Sequence, residues 1–338
     1  MADVFTNVVE VVTREEFERR LRRGGLGYIG FEPSGFVHIG TGLVCGNKIK
    51  DLEGAGIKMT VLLADWHAMI NDKLGGDMTL IGLAAEHLID ALRAVGVGAR
   101  FVYASEIVSD PSYWEKVIRI AKVTTLKRAK RAMTIMGRRE EDAELDSSKI
   151  LYPFMQVADI FHLRVHVAYG GMDQRHAHML ARDVAGKLGL RKPIALHTAL
   201  LSSLKGPSRM DAAQAKMSKS VKESAIFLHD PPELVEKKIM KAYCPPREPK
   251  GNPVLDIARM ILIPYYFPEF EVKTSSGTRA FSSPGELVEA YGRGEIHPLD
   301  LKEAVAKHLN EVLEPIRCYL DAHPEPVEEL SSALGERK

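Results

Sequence analysis

Two short segments of the 338-residue chain carry side chains suited to holding phosphate. The first is the turn Pro33-Ser-Gly-Phe-Val-His-Ile-Gly-Thr41, which reads as a passage from a buried strand into a helix. Glycines let backbone approach an anion, a helix N-terminus offers unpaired N–H groups and a positive dipole end, and His38 can donate to phosphate oxygens. Taken alone, it could equally be a plain strand-to-helix turn. The second is Lys216-Met-Ser-Lys-Ser220, followed at once by Val221 and Lys222, a compact strip of ammonium and hydroxyl groups. Gly206, Pro207 and Ser208 upstream suit a mobile loop, and by itself the strip is also compatible with an exposed basic loop. A third set, Tyr152, Gln156 and Asp159, stands at i, i+4 and i+7 on one helix face and would point into one pocket, although by spacing alone Tyr152 and Gln156 could equally be ordinary helix-surface residues. Phe154, Val157 and Phe161 lie on the opposite face, available for packing.

The elements that must position these groups follow from pattern. Thr13 and Glu16 form a capping box that opens a short amphipathic helix. Leu26 to Phe31 is a buried strand, broken by Pro33, Ser34 and Gly35 before a helix begins near Gly40. The run Lys58 to Asp65 is a second buried strand, whose end delivers Asp65, Trp66 and His67. Helical periodicity from Asp77 to Val95 leads to the strand Arg100 to Tyr103. Pro111 to Ser148 is a mostly helical insertion. It carries Lys122, Lys127, Arg128, Lys130, Arg131, Arg138 and Arg139, either a basic binding patch or a solvated helix face. A helix from Ser147 to Leu163, the strand Val165 to Ala168, a Gly170–Gly171 turn, a helix from Asp173 to Leu188 and the strand Pro193 to Leu196 complete a second half. This βαβα alternation implies a doubly wound parallel sheet covered by helices, with ligands at the carboxyl ends of its strands.

From Asp230 the character becomes helical. Asp230, with Pro231, Pro232 and Glu233, reads as a carboxylate-capped helix start. Helices joined by the polar stretch Lys273 to Glu286 follow. A last long helix from Pro298 sets Leu301, Val305, Leu309, Val312, Ile316 and Leu320 on one stripe, with Pro315 expected to bend it.

A length of 338 residues favours one large domain plus a smaller one. With 45% hydrophobic and 27% charged residues the composition is that of a globular protein. The N-terminus lacks the basic and apolar regions of a signal peptide, and the longest apolar run, Met59 to Ala64, is too short to span a bilayer, so no membrane partner is expected. Three scattered cysteines fit a reducing cytoplasm. The net charge of +1 means that any nucleic acid must be held by a local basic patch.

In order and separation, the His38 turn and the Lys216–Ser220 strip resemble the HIGH and KMSKS signatures of class I aminoacyl-tRNA synthetases. The resemblance narrows with Tyr28-Ile-Gly-Phe-Glu-Pro-Ser-Gly35, Leu62-Leu-Ala-Asp-Trp-His-Ala68, Tyr152-Pro-Phe-Met-Gln-Val-Ala-Asp159 and Gly170-Gly-Met-Asp-Gln-Arg175. These are similar to archaeal and eukaryotic tyrosyl-tRNA synthetases over nearly the whole chain. The resemblance implies an α/β fold: a Rossmann-like catalytic domain over residues 1–229, with the helical insertion at about 111–148, and a smaller α-helical anticodon-binding domain over 230–338.

It also implies roles. Tyr28 and Asp159 would meet the phenolic hydroxyl of L-tyrosine, Tyr152, Gln156 and Gln174 its amino group, and Gly30, Ala64 and His67 would line the pocket. A buried carboxylate left without its hydroxyl partner loses charged hydrogen bonding; this family's rejection of phenylalanine without an editing site is the standard example of that argument. ATP would lie against Pro33, Gly35, His38, Gly40, Thr41, Lys216, Met217, Ser218, Lys219 and Ser220. The substrate carboxylate is already a nucleophile, so catalysis is mostly positioning and charge stabilisation by His38, Gly40, Lys216 and Lys219. Mg2+ would arrive with ATP, with no tightly bound cofactor. For tRNA(Tyr), Arg131 and Arg175 fall near the acceptor stem, and His297 and Asp300 in the anticodon-reading segment. Asp300 is also what the first turn of any helix favours. Family members of this type are homodimers.

Two positions depart from the pattern: Thr41 stands at the fourth HIGH position, and Lys273 to Gly277 lacks the aromatic that stacks on an anticodon base in some relatives. The alternatives are a tryptophanyl-tRNA synthetase, which Tyr28 paired with Asp159 disfavours because indole offers one donor and no acceptor, a nucleotidyltransferase of the same fold, and a catalytically silent tRNA-binding paralogue. No metal site is expected, although His162 and His166, and His176 and His178, form close pairs.

Overall fold

A computed structural model describes residues 3–136, 146–207, 217, 224–275 and 277–335. Its strands are β1 (Val8–Val12), β2 (Gly25–Phe31), β3 (Ile57–Leu63), β4 (Arg100–Tyr103), β5 (Val167–Gly171), β6 (Ile194–Thr198), β7 (Phe270–Thr274) and β8 (Gly277–Phe281). The first six form one sheet in the order β1-β6-β5-β2-β3-β4. β2, β3, β4, β5 and β6 pair in parallel, and β1 closes the β6 edge antiparallel. The chain winds outward from β2 to β3 and β4 on one side, and from β5 to β6 on the other. The crevice between the carboxyl ends of β2 and β5 is therefore the topological switch point.

Alternation along β2 divides the interior. Tyr28 belongs to an apolar cluster with the Pro111–Lys122, Tyr152–His162 and Arg175–Ala185 helices, whereas Ile29 belongs to the other. That other cluster runs without a break from the sheet into the Pro298–Asp321 helix, so the C-terminal helices share its core. The Glu325–Gly335 helix returns to pack on the Met78–Ala94 helix. Among the described residues no helix is long and apolar enough to cross a membrane.

Several local expectations need correction. β1 was not legible as a strand. Gly170 and Gly171 end β5 and do not form a turn. The helix expected near Gly40 begins as one wide π-type turn, Gly40–Cys45, before the Gly46–Gly54 α-helix. The helix expected from Ser147 opens as a tight 3-10 turn, Ser147–Ile150, and becomes α-helical at Tyr152. Asp230 does not cap the Pro232–Lys241 helix; its Oδ2 accepts from Phe227 N–H at 2.8 Å and Lys238 Nζ at 2.6 Å. The polar stretch after Phe270 is the β7–β8 hairpin, with Phe270, Val272 and Phe281 buried beneath it. The Pro298–Asp321 helix continues through Pro315, and its apolar stripe is buried as expected.

Candidate active site

The switch point opens into a cleft of about 1150 Å3. Its walls bring together residues far apart in sequence: Tyr28 and Gly30 from β2, Ala64 and His67 after β3, Tyr152, Gln156 and Asp159 from one helix, and Gln174 after β5. At its centre is Asp159, 1% exposed. Tyr113 Oη donates to Asp159 Oδ1 at 2.8 Å, and His67 Nε2 lies 3.2 Å from Oδ2. Burial works against a charged His67, but the charge and hydrogen bonding of Asp159, with Glu32 and Asp65 further off, outweigh it and leave the imidazole above its ordinary range. Burial, then the charge of Asp159, pushes the Tyr28 phenol well upward, so it stays a protonated donor. The result is a buried carboxylate and a protonated phenol in the wall of the cleft.

Toward the mouth, Gln156 Nε2 donates to Gln174 Oε1 at 3.0 Å. Tyr152 Oη donates to Glu32 Oε1 at 2.7 Å, and the same oxygen accepts from Asn71 Nδ2 at 2.9 Å. Lys73 Nζ stands 3.5 Å from Glu32 Oε2. The carbonyl oxygens of Gln156 and Gln174 and the carboxylate of Glu32 thus all belong to residues that line the cleft.

The other arm of the cleft contains His38, Gly40 and Thr41, with Ser34 at its edge. Pro33 and Gly35 are buried beneath this turn and do not line the cleft. His38 Nδ1 accepts from the N–H groups of Gly40 at 3.0 Å and Thr41 at 3.3 Å, which leaves the ring proton on Nε2. A Cβ on Gly40 would lie 2.9 Å from the imidazole, so only glycine admits this ring position. Opposite, Leu201, Ser203, Lys205, Gly206, Pro207 and Met217 form the wall. Met217 is buried, its N–H donating to Leu201 O at 2.8 Å. Lys216, Ser218, Lys219 and Ser220 lie outside the described residues.

The remaining candidates are on the surface. Arg175 makes a two-pronged contact with Glu10, Nε to Oε2 at 2.8 Å and Nη2 to Oε1 at 2.9 Å. Glu10 Oε2 meets His197 Nδ1 at 2.9 Å, and His197 Nε2 meets His178 Nδ1 at 3.0 Å, under the pocket floor beside Tyr28. Arg128 ties the Leu126–Ala132 helix to Asp183 at 3.0 Å, which brings Arg131 within electrostatic reach of His176. Burial, then the charges of Arg128, Arg175 and Arg131, hold His176 between them below its ordinary range. His297 caps the Pro298–Asp321 helix, its Nδ1 accepting from Leu299 N–H, and Asp300 stands half-exposed in the first turn. Among the described residues no three His, Cys, Asp or Glu side chains converge as a metal site; His162 faces Asp110, and His166 accepts from Leu26 N–H.

Sequence reasoning missed Tyr113, Glu32, Asn71 and the Glu10–His197–His178 chain. Glu32 had a signal, being the first carboxylate past the end of a central parallel strand. Tyr113 had none beyond its place on the apolar stripe with Val117 and Ile120.

The family model of class I tRNA synthetases (W and Y) matches residues 26–314. The chain is 52% identical over 330 residues to the tyrosine–tRNA ligase of Aeropyrum pernix, covering 92% of this chain and 90% of that one. It is 50% identical over 315 residues to that of Picrophilus torridus, covering 92% and 95%. The crystal structure of tyrosyl-tRNA synthetase complexed with L-tyrosine from Pyrococcus horikoshii superposes with a TM-score of 0.90 at 42% identity, covering 97% of each chain.

Proposed function

The chain belongs to the class I tRNA synthetases of the tryptophan and tyrosine group, and from that membership we infer that it is a tyrosine–tRNA ligase. It activates tyrosine with ATP and transfers the tyrosyl group to tRNA. The observation that carries the reading is the buried Asp159 carboxylate beside the Tyr28 phenol, an acceptor and a donor that together complement a para-hydroxyl.

In this reading the tyrosine ring enters the cleft between Gly30, Ala64 and His67. Its hydroxyl donates to Asp159 and accepts from Tyr28. The ammonium lies among Tyr152, Gln156 and Gln174, all of which line the cleft. The substrate carboxylate attacks the α-phosphorus of ATP, pyrophosphate leaves, and the 3'-terminal ribose hydroxyl of tRNA displaces AMP from the adenylate. His38 donates from Nε2 to the phosphates, and Gly40 admits its ring. Pro33 and Gly35 shape the turn under the nucleotide, Thr41 borders it, and Lys216, Met217, Ser218, Lys219 and Ser220 complete the phosphate grip. Magnesium, a hard ion that favours phosphate oxygens and water, belongs to the nucleotide and comes with it.

Residues 1–229 are the catalytic unit and 230–338 read the anticodon of tRNA(Tyr) through His297 and Asp300, while Arg131 and Arg175 take the acceptor end. The enzyme works in the cytoplasm as a homodimer joined through the insertion, where Ile118 and Leu126 are 68% and 60% exposed. Amino-acid-dependent pyrophosphate exchange across all twenty amino acids tests the substrate: tyrosine alone should support it, and exchange with tryptophan would sink the assignment.

A further inference from the structure

At the opposite, amino end of the sheet is a second pocket, of about 200 Å3, lined by Arg19, Arg20, Arg23, His166, Arg191 and Lys192 around the start of β6, together with Glu16. Nothing in tyrosine activation uses it. Five cations thus face one carboxylate, and that carboxylate is engaged elsewhere: Glu16 Oε2 accepts from Arg182 Nη1 at 3.1 Å and from Thr13 N–H at 3.2 Å. Arg19 leans on Glu15 at 3.3 Å. Two of the other guanidiniums are fixed by carbonyls. Arg191 Nη2 donates to Arg164 O at 2.9 Å and Val165 O at 3.3 Å, and Arg20 Nη1 donates to Gly24 O at 3.3 Å. Among the described residues, no ion pair or side-chain hydrogen bond engages Arg23 or Lys192.

Two features show that the cations are held together and not merely scattered. A Cβ on Gly25 would lie 2.7 Å from Arg20 Cδ, so glycine at the head of β2 lets the Arg20 side chain close over it, with the His166 ring in ordinary contact at 3.4 Å. His166 Nδ1 accepts from Leu26 N–H at 3.0 Å, which leaves its proton on Nε2 as a further donor. The crowding has an electrostatic signature. Burial, then Arg191 and Arg20, hold His166 below its ordinary range, and burial, then Arg20, do the same to Arg191. Like charges kept close without a counterion are stabilised by any anion that enters. Several guanidiniums offer more forked donors than the two oxygens of one carboxylate can accept, whereas a phosphate group can engage them.

We propose that this pocket binds a phosphate-bearing anion between Arg20, Arg23, Arg191 and Lys192, with His166 donating from Nε2. The phosphate comes either from the free ion or from an RNA backbone, and two arms of one experiment separate these sources. In the first, inorganic phosphate is titrated into the full-length enzyme labelled at histidine, with the His166 signals assigned through His166→Gln and chloride of matched ionic strength as control. Phosphate should move the ring signals and raise their titration midpoint, and Arg23→Glu combined with Lys192→Glu should abolish that response. In the second arm, tRNA affinity is measured against salt. Each lost phosphate contact lowers the log–log slope by roughly 0.7 to 0.9, so the double variant should lose about one to two if RNA is the ligand. An unchanged slope with a lost phosphate response assigns the free ion. Tyrosine-dependent exchange, which uses neither residue, stays at the wild-type rate in the double variant and reports its folding. The proposal is overturned by a phosphate response that the double variant keeps, or by a wild-type response no larger than that to chloride together with an unchanged tRNA slope.

Discussion

Tyr113 Oη donates to Asp159 Oδ1 at 2.8 Å across 46 residues of sequence, from the Pro111–Lys122 helix to the Tyr152–His162 helix, with both side chains buried. The bond fixes one carboxylate oxygen, and His67 lies against the other. Tyr113 therefore holds Asp159 in place without lining the cleft itself. Hydrogen bonds to charged groups contribute about 1.5–3 kcal/mol, so Tyr113→Phe should lower kcat/KM for tyrosine by roughly ten- to a hundredfold. Phenylalanine, which makes no bond to Asp159, should be activated as poorly as before. Exchange kinetics with both amino acids decide the matter: an equal fall for both would point to general damage instead of lost positioning.

The contrast between Tyr113 and its partner shows what one sequence can reveal. Tyr152, Gln156 and Asp159 lie on one helix, where spacing alone puts them on one face, and the expectation needs no long-range information. Tyr113 reaches Asp159 only through the packing of two helices, which no local period encodes. The central strands were legible because burial on both faces leaves continuous apolar runs. β1 was not, since it is an edge strand with only partial burial whose partner, β6, lies far along the chain at Ile194–Thr198. The β7–β8 hairpin was masked by its lysine, threonine and serine, although Phe270, Val272 and Phe281 alternate inward as a half-buried pair requires.

Acid should weaken the fold through the histidine pair beneath the pocket. Burial, and then the neighbouring His197, pull His178 down to about 3, and His197 is lowered as well, by burial first. A base that resists protonation only when folded binds fewer protons in the native than in the unfolded state below about pH 6.5. Its contribution is complete above that value and is lost as pH falls toward 3. His178→Gln keeps a polar partner for His197 but does not titrate. Between pH 6.5 and 4 its unfolding free energy should fall less steeply than wild type, by up to about 1.4 kcal/mol per pH unit. Urea midpoints across that range give the slope, and identical slopes would remove His178 from the acid response.

Glu10 joins that pair to the surface, since it also holds Arg175 in a two-pronged contact at 2.8 and 2.9 Å. The Arg175 hydrogen bond is the largest influence holding the Glu10 carboxyl below its ordinary range. If Arg175 receives the acceptor stem, loosening it should affect transfer and spare activation. Glu10→Gln is expected to lower kcat/KM for tRNA by several-fold while tyrosine-dependent exchange stays within about twofold of wild type, because exposed or half-exposed pairs contribute no more than about 1 kcal/mol. Loss of exchange in parallel with aminoacylation would contradict this division.

At the mouth of the pocket, Glu32 gathers three cleft residues, accepting from Tyr152 Oη and Asn71 Nδ2 and standing 3.5 Å from Lys73 Nζ. Two explanations of its charge compete. It either attracts the substrate ammonium or only braces Tyr152 and the Asn71–Lys73 segment. Glu32→Gln distinguishes them, because the amide oxygen can still accept from Tyr152 and Asn71 while the negative charge is gone. If the charge acts on the ammonium, KM for tyrosine should rise by roughly tenfold, the scale of one charge-assisted contact. The inhibition constant of 3-(4-hydroxyphenyl)propionate, which has the ring and carboxylate but no amine, should move by less than about twofold. Releasing Lys73 would disturb both ligands alike, so the ratio of the two effects isolates the ammonium. A matched rise for tyrosine and its amine-free analogue would assign Glu32 to bracing alone.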